Sequence, residues 1–193
     1  MTTIVVNDRR VLADYVPATA LANVLLVVGA AAFVGLLAQV SIPLGFTPVP
    51  LTGQTLGVVL AGAALGWWRA LASMSLYTLA GIAGLPWFAG HAHGFPTYTF
   101  GYLLGFVVAG TVLGALSERG QDRSVFSAFP AMLTAEVLIF VFGVTWLKYS
   151  AHYSVAQAIA GGLTPFLGGE AIKIALAGAA LPSAWRLVER VSR

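Results

Sequence analysis

The stretch 164-TPFLGGEAIKIALAG-178 contains two charged residues, Glu170 and Lys173, inside an otherwise apolar run. Helical spacing places both side chains on the same side of a helix, close enough for an ion pair. A charged side chain costs about 3 kcal/mol or more at the centre of a bilayer, so both should face a bundle interior. The stretch therefore predicts a membrane helix with a buried functional site. A pair that serves only fold specificity is the alternative.

The composition of the whole chain also indicates a membrane protein. Of 193 residues, 59% are hydrophobic and 9% are charged, and the mean hydropathy is +0.88. Soluble domains are usually about a quarter charged. The absence of cysteine excludes disulfides and thiolate metal sites. The ten Lys and Arg residues are scattered between apolar runs, so we expect no nucleic-acid partner.

Six apolar segments approach the roughly 20 residues that a helix needs to cross a bilayer. They predict an all-α membrane protein with six transmembrane helices in one compact bundle, at about residues 21–42, 51–65, 71–85, 100–116, 126–147 and 166–187. The predicted domain is 20–188, with an N-terminal segment 1–19 and a tail 189–193.

The distribution of basic residues predicts the orientation, because Lys and Arg near span ends stay on the cytoplasmic side. Nearly all Lys and Arg residues outside the spans lie in the two terminal segments and in every second connection between spans. This predicts cytoplasmic termini and external loops at about 43–50, 86–99 and 148–165. Those external loops contain only Lys148, whereas the cytoplasmic segments contain Arg9, Arg10, Arg69, Arg119, Arg123, Arg186, Arg190 and Arg193.

Glycines four residues apart predict close helix contacts, since helices in lipid associate through small residues. Such pairs are Gly53 and Gly57, Gly62 and Gly66, Gly101 and Gly105, and Gly110 and Gly114. We interpret them as intramolecular packing sites. In the first span, Ala18 and Ala22, or alternatively Ala31 and Gly35, are candidates for docking a partner helix.

The three charged residues within predicted spans suggest an anionic small-molecule ligand. The Lys173 ammonium can bind a carboxylate, and Glu170 can accept hydrogen bonds from amide-like N–H groups. Glu136, in the fifth span, lies within reach of Lys173 by helical rise. It either neutralises the lysine when the site is empty or serves as a separate proton-relay group.

Two predicted external loops have the composition of a pocket wall. Residues 41–55, SIPLGFTPVPLTGQT, contain three prolines that prevent a continuous helix, and Gln54 at their end offers a donor and an acceptor. Residues 85–106, LPWFAGHAHGFPTYTFGYLLGF, are rich in aromatic side chains that can cover a flat bicyclic ligand or anchor the membrane interface. The aromatic candidates for the pocket are Phe46, Trp87, Phe88, Phe95, Tyr98, Tyr102 and Phe106.

Catalytic and metal signatures are absent from the sequence. His91 and His93 are too few for a tetrahedral metal site, and neither HExxH, GxSxG nor GxxxxGK[ST] occurs. We therefore expect no metal, no cofactor and no ATP hydrolysis by this chain. An intramembrane enzyme using Glu136, His91 or His93 is a remote alternative.

Four segments together have a specific combination of motifs. They are IPLGFTPVPLTGQTLGVVLAGAALG (42–66), LYTLAGIAGLPWFAG (76–90), GYLLGF (101–106) and TPFLGGEAIKIALA (164–177). This combination resembles the BioY family, the biotin-binding S components of energy-coupling-factor (ECF) transporters. The resemblance covers most of the chain from about residue 38 onward.

The resemblance implies a multi-pass protein of the bacterial plasma membrane that captures biotin with high affinity in an outward-facing pocket. It implies partnership with a transmembrane coupling subunit and two cytoplasmic ATPase subunits. Lys173 would bind the biotin carboxylate, Glu170 and Gln54 would place polar groups, and loop aromatics would cover the rings. The alternatives are an S component for another small vitamin and a stand-alone proton-coupled carrier using Glu136. Homo-oligomerisation stays open.

The chain departs from the family pattern at three places. Glu170 stands where aspartate is typical. The segment GHAHGFPTYTFGYLLGF (90–106) replaces a longer glycine-rich run before a GPTGGYL-like motif, which implies a shorter or differently shaped lid. The small-residue coupling motif of helix one has no unique match, so both candidate pairs given above stay open.

Overall fold

Seven α-helices and two short strands follow one another in the computed structural model, which describes residues 11–191. The helices are α1 (Ala20–Ala38), α2 (Gln54–Leu65), α3 (Trp67–Ile82), α4 (Phe100–Ser117), α5 (Val125–Ser150), α6 (Val155–Gly162) and α7 (Leu167–Val191). The strands β1 (Ser41–Ile42) and β2 (Leu51–Thr52) pair antiparallel between α1 and α2. Single 3₁₀ turns occupy Leu12–Tyr15, Ala89–His91 and Thr164–Phe166.

Helices α1 to α5 and α7 lie on the six predicted segments, and two elements differ from the prediction. The β1–β2 pair makes the fold not strictly all-α. The short helix α6 occupies a connection that we predicted as a loop. Its start is a capping box, in which the Ser154 side chain accepts from the Gln157 N–H and the Gln157 side chain accepts from the Ser154 N–H. That S-x-x-Q signal was available in the sequence.

Four helical stretches of the described residues are long and apolar enough to cross a membrane. They are Ala20–Ala38, Phe100–Ser117, Val125–Ser150 and Val155–Val188. Helices α2 and α3, with 12 and 16 residues, are shorter than the roughly 20 residues that a full crossing needs. The predictions of six crossings and of cytoplasmic termini therefore stay predictions.

Glycine allows α4 to pack closely on its neighbours. A Cβ atom built on Gly105 would lie 2.8 Å from the Ile139 Cα in α5, and one on Gly62 would lie 3.0 Å from the Gly110 carbonyl oxygen. Only glycine fits at such backbone-to-backbone approaches. The intramolecular interpretation of these glycines is confirmed.

Gly53 and Gly57 both pack on α1, since Cβ atoms built on them would lie 2.7 and 3.1 Å from atoms of Leu37. Gly53 is the residue preceding α2, and Gly66 separates α2 from α3. Gly66 has a φ of +79°, a conformation that glycine adopts without strain. Gly66 therefore makes a sharp turn between helices, and it also lies against α4, since a Cβ on Gly114 would lie 2.5 Å from the Gly66 carbonyl carbon.

Neither candidate docking pair in the first span forms an exposed helical stripe. Ala31 and Gly35 are buried within the chain, where the Trp87 side chain packs on Gly35. Ala18 is exposed but precedes Thr19, the N-cap residue of α1, so Ala18 and Ala22 do not lie on consecutive turns of one helix. Burial argues against docking through Ala31 and Gly35, and docking through Ala18 and Ala22 stays a prediction.

Part of the segment predicted as an N-terminal tail belongs to the packed body. Asp14 forms an ion pair with Arg69, at 2.9 Å from Oδ1 to Nη1. The Arg69 guanidinium also lies 4.9 Å from the ring centroid of Trp68, within cation–π distance. Three basic residues used for the orientation, Arg9, Arg10 and Arg193, lie outside the described residues.

The close approach at Gly105 predicts a large effect of a single methyl group. Gly105→Ala should lower the free energy of unfolding by about 1–3 kcal/mol, because the Ile139 backbone cannot move aside cheaply. Gly29→Ala in α1, where a Cβ has nothing within 4 Å, is the matched control and should leave stability unchanged or higher. Thermal unfolding in detergent measures both, and equal behaviour of the two variants would contradict the packing argument.

Candidate functional site

A cavity of about 380 Å³ lies between the α1–α2 connection, the α3–α4 connection and helices α4, α5 and α7. One end is polar and buried, formed by Thr52, Gln54, Thr55 and Glu170. Its mouth includes the more exposed Phe95 and Tyr98. Its apolar walls comprise Pro48, Val49, Pro50, Phe88, Tyr102, Leu103, Phe106, Phe140 and Phe166.

The chain leaving α1 turns back to deliver the polar residues to this cavity. Its prolines exclude helix, and the β1–β2 pairing returns the chain towards the end of α1. The Gly53 N–H then donates to the Val40 carbonyl at 2.9 Å, and a Cβ on Gly53 would collide with the Leu37 carbonyl oxygen. Helix α2 starts directly afterwards, so Gln54 and Thr55 face the cavity from its first turn.

The Lys173 ammonium makes three hydrogen bonds within the chain. It donates to the Thr52 carbonyl at 2.5 Å, to Thr55 Oγ1 at 2.8 Å and to Glu170 Oε1 at 2.8 Å. Thr55 Oγ1 in turn donates to Glu170 Oε2 at 2.7 Å. Because an ammonium has three N–H donors, these bonds satisfy it completely. Glu170 lines the cavity, whereas Lys173 lies behind it.

The Gln54 amide is held by two hydrogen bonds on the cavity wall. Its Nε2 donates to the Tyr77 hydroxyl at 2.7 Å, and its Oε1 accepts from the Thr52 hydroxyl at 2.9 Å. The Tyr77 hydroxyl donates to the Trp87 carbonyl at 3.3 Å. The orientation of Gln54 is therefore tied to the α3–α4 connection.

The predicted site residues divide into two groups. Gln54, Glu170, Phe88, Tyr98 and Tyr102 line the cavity, as do Phe95, Phe106 and His93 among the other residues singled out. Lys173, Trp87, Phe46 and His91 do not.

The aromatic prediction needs correction at two positions. Phe46 is 68% exposed and lies away from the cavity, because the turn after β1 points outward. Trp87 lies beneath the α3–α4 connection, where its Nε1 donates to the Tyr77 carbonyl at 2.9 Å. Trp87 therefore supports the wall from behind and does not form its surface.

Glu136 lies beside the Glu170–Lys173 ion pair, in keeping with the expectation that it lies within reach of Lys173. Its carboxyl group is buried and interacts electrostatically with Glu170 and Lys173. Among the described residues, neither of its oxygens has a hydrogen-bond partner. It lines a separate apolar groove of about 520 Å³ between α5 and α7, which shares Phe140 and Glu170 with the cavity.

Several cavity residues were not named individually from the sequence, among them Thr52, Thr55, Phe140 and Phe166. The two threonines flank Gln54, so their position in the segment 51-LTGQT-55 was a usable signal. Phe140 follows Glu136 by four residues and shares its helix face. Phe166 precedes α7 in an irregular turn, for which the sequence offers no comparable signal.

Histidine does not form a metal centre with other ligands in the described part of the chain. Within residues 11–191, no group of three or more His, Cys, Asp or Glu side chains is placed to hold a metal ion. His93 faces the ligand cavity. His91 has a φ of +60°, and its backbone N–H donates to Gln39 Oε1 at 3.0 Å.

The fold and the site define a membrane protein with a small cavity that has aromatic walls and a polar end. The chain belongs to the BioY family, whose model matches residues 9–190.

Curated relatives agree with this assignment. The chain is 35% identical to the "Biotin transporter BioY" of Rhizobium etli, over 74% of this chain and 80% of the relative. It is 33% identical to "Biotin transporter BioY2" of Lactococcus lactis subsp. cremoris, over 82% of this chain and 87% of the relative. The "Biotin transporter BioY" of Thermotoga maritima is 34% identical, with 72% and 82% covered.

A solved structure has the same fold. It is a 2.1 Å crystal structure described as the S-component for biotin from an ECF-type ABC transporter. The TM-score is 0.77 at 22% sequence identity, with 86% of this chain and 92% of that chain covered. Two chains this different in sequence retain the arrangement of helices.

The ion pair predicts a stability difference between single and double variants. Lys173→Met should lower the free energy of unfolding by about 3–5 kcal/mol, because it leaves the buried Glu170 carboxylate without its cation. Glu170→Gln/Lys173→Met removes both charges and should be clearly more stable than Lys173→Met alone. Thermal unfolding of the two variants side by side is the measurement, and a double variant less stable than the single one would contradict it.

Proposed function

We propose that this chain is the biotin-capturing S component of an ECF-type transporter, with six membrane crossings and both termini in the cytoplasm of a bacterium. A transmembrane coupling subunit and two cytoplasmic ATPase subunits would complete the transporter. Membership of the BioY family and the names of the curated relatives support this function. The single observation that carries the proposal is a cavity with apolar aromatic walls and one buried polar end.

The size and lining of the cavity suit biotin. A volume of about 380 Å³ lies at the lower end of small-molecule sites, which are mostly apolar with a few placed polar groups. Biotin combines an apolar thioether ring and chain with a ureido group that has two N–H donors and one carbonyl acceptor. Gln54, Thr55 and Glu170 offer matching partners at the polar end.

The hydrogen bonds at the polar end favour the ureido head of biotin next to Glu170. A neutral group with N–H donors is attracted by a carboxylate, whereas the biotin carboxylate would face Glu170 and the nearby Glu136. Lys173 could meet an anion only by releasing one of its three acceptors. We therefore place the carboxylate towards the mouth and assign Lys173 the role of holding Glu170 in position. This differs from our expectation of a direct Lys173–carboxylate contact.

Energy for transport would come from the partner ATPases. The chain has no phosphate-binding GxxxxGK[ST] motif. A stand-alone carrier that uses Glu136 as its proton site is the alternative, and the buried position of that carboxyl group is the one observation in its favour.

The ligand class is tested by equilibrium binding to the purified protein. Biotin should bind with high affinity, and thiamine and lipoate should not displace it at comparable concentrations, because neither has a ureido group to pair with Glu170. Isothermal titration calorimetry with competition measures this. Tight binding of thiamine or lipoate with no binding of biotin would overturn the proposal.

The orientation of biotin is tested with two analogues. Methylation of a ureido nitrogen should weaken binding by about 10–100-fold, the loss expected for a hydrogen bond to a charged group. Biotin methyl ester should bind the wild type with a much smaller loss, and Lys173→Arg should not change the ratio of its affinity to that of biotin. If the ester instead shows the larger loss, and only when Lys173 is intact, the lysine binds the carboxylate.

A further inference from the structure

Gln39 joins the end of α1 to the α3–α4 connection through its side chain. It is the residue directly after α1. Its Nε2 lies 2.9 Å from the Gly35 carbonyl oxygen, 3.1 Å from that of Trp87 and 3.2 Å from that of Phe88. Its Oε1 accepts from the His91 N–H at 3.0 Å. One amide thus uses both its donor and its acceptor on a segment about fifty positions away in sequence.

The segment that Gln39 contacts forms one wall of the ligand cavity. Phe88 is buried and lines the cavity together with Ala89 and Ala92. The Phe88 ring packs on Gly81, and its centroid lies 5.4 Å from that of Tyr77. The Phe88 N–H donates to the Ala92 carbonyl at 3.0 Å. The placement of Phe88 therefore depends on the backbone between residues 87 and 92.

The backbone of this segment adopts a conformation that needs support. Gly90 and His91 have φ values of +65° and +60°. Glycine adopts this region freely, but a non-glycine residue there is held by its surroundings. This part of the turn lies at the surface, where an open pocket of about 420 Å³ borders Gln39, Gly90 and His91. The hydrogen bond from the His91 N–H to Gln39 is thus a principal restraint on the turn.

We propose that Gln39 is a positioning residue for the ligand cavity: its amide fixes residues 87–91 and so sets the wall formed by Phe88. Gln39 itself does not line the ligand cavity, so it acts through Phe88 rather than by contact with the ligand. The effect on ligand affinity rests on the proposed biotin function. The effect on the turn does not.

Hydrogen exchange of the ligand-free protein tests the positioning role. Gln39→Met keeps the volume and removes the hydrogen bonds of the amide group. It should increase exchange at the amides of residues 88–92 by about tenfold or more, with no comparable change in α4 or α5. Gln157→Met is the matched control, since Gln157 is a glutamine at another helix end whose side chain accepts from the Ser154 N–H. It should leave residues 88–92 unchanged.

Biotin binding supplies a second readout. Gln39→Met should weaken biotin binding by about tenfold through faster dissociation, because the wall is no longer preformed. Gln39→Glu keeps an acceptor for the His91 N–H but places a carboxylate against three carbonyls, so it should be at least as damaging.

The two readouts separate the proposals. If exchange at 88–92 is unchanged in Gln39→Met, the positioning role is wrong, whatever the ligand. If exchange rises locally but biotin does not bind the wild type, the positioning role stands and the biotin function fails. A uniform rise across all helices would show a general loss of stability and would also overturn the proposal.

Discussion

The ion pair between Glu170 and Lys173 is the interaction around which the site is arranged. Two charges inside an apolar bundle are tolerated only when their remaining hydrogen-bonding capacity is also satisfied. The Thr55 hydroxyl donates to Glu170 and accepts from Lys173, and the Thr52 carbonyl supplies a third acceptor for the ammonium. Because Thr52 ends β2 and Thr55 lies in the first turn of α2, the same bonds fix both elements against α7. The charges therefore shape the polar end of the cavity as well as occupying it.

Close backbone contacts explain how so small a chain encloses a cavity. Helix α4 approaches α5 at Gly105 and α2 through the Gly62–Gly110 contact. Side chains at those points would push the helices apart. In the first turn of α4, Tyr102 packs over Gly143, and its hydroxyl donates to the Gly162 carbonyl at 2.7 Å. The close helix contacts at the glycines and the Tyr102 ring beside them together leave the space of the cavity.

The sequence predicted those features that depend on local chemistry. Apolar runs located the helices, and the spacing of Glu170 and Lys173 predicted their ion pair. The prolines of residues 41–55 predicted the break after α1. Features that depend on distant contacts were missed: nothing local shows that Trp87 packs on Gly35 or that Lys173 finds the Thr52 carbonyl. Whether a residue lines the cavity or supports its wall from behind likewise depends on the three-dimensional arrangement.

The position of Glu170 between two spaces limits what can lie against it. The ligand cavity and the groove between α5 and α7 share Glu170 and Phe140, so a single layer of side chains separates them. Glu136 lies on the groove side, and the formal count is two carboxyl groups against one ammonium. The Glu170 carboxylate makes an anion unfavourable at the polar end and a neutral N–H donor favourable.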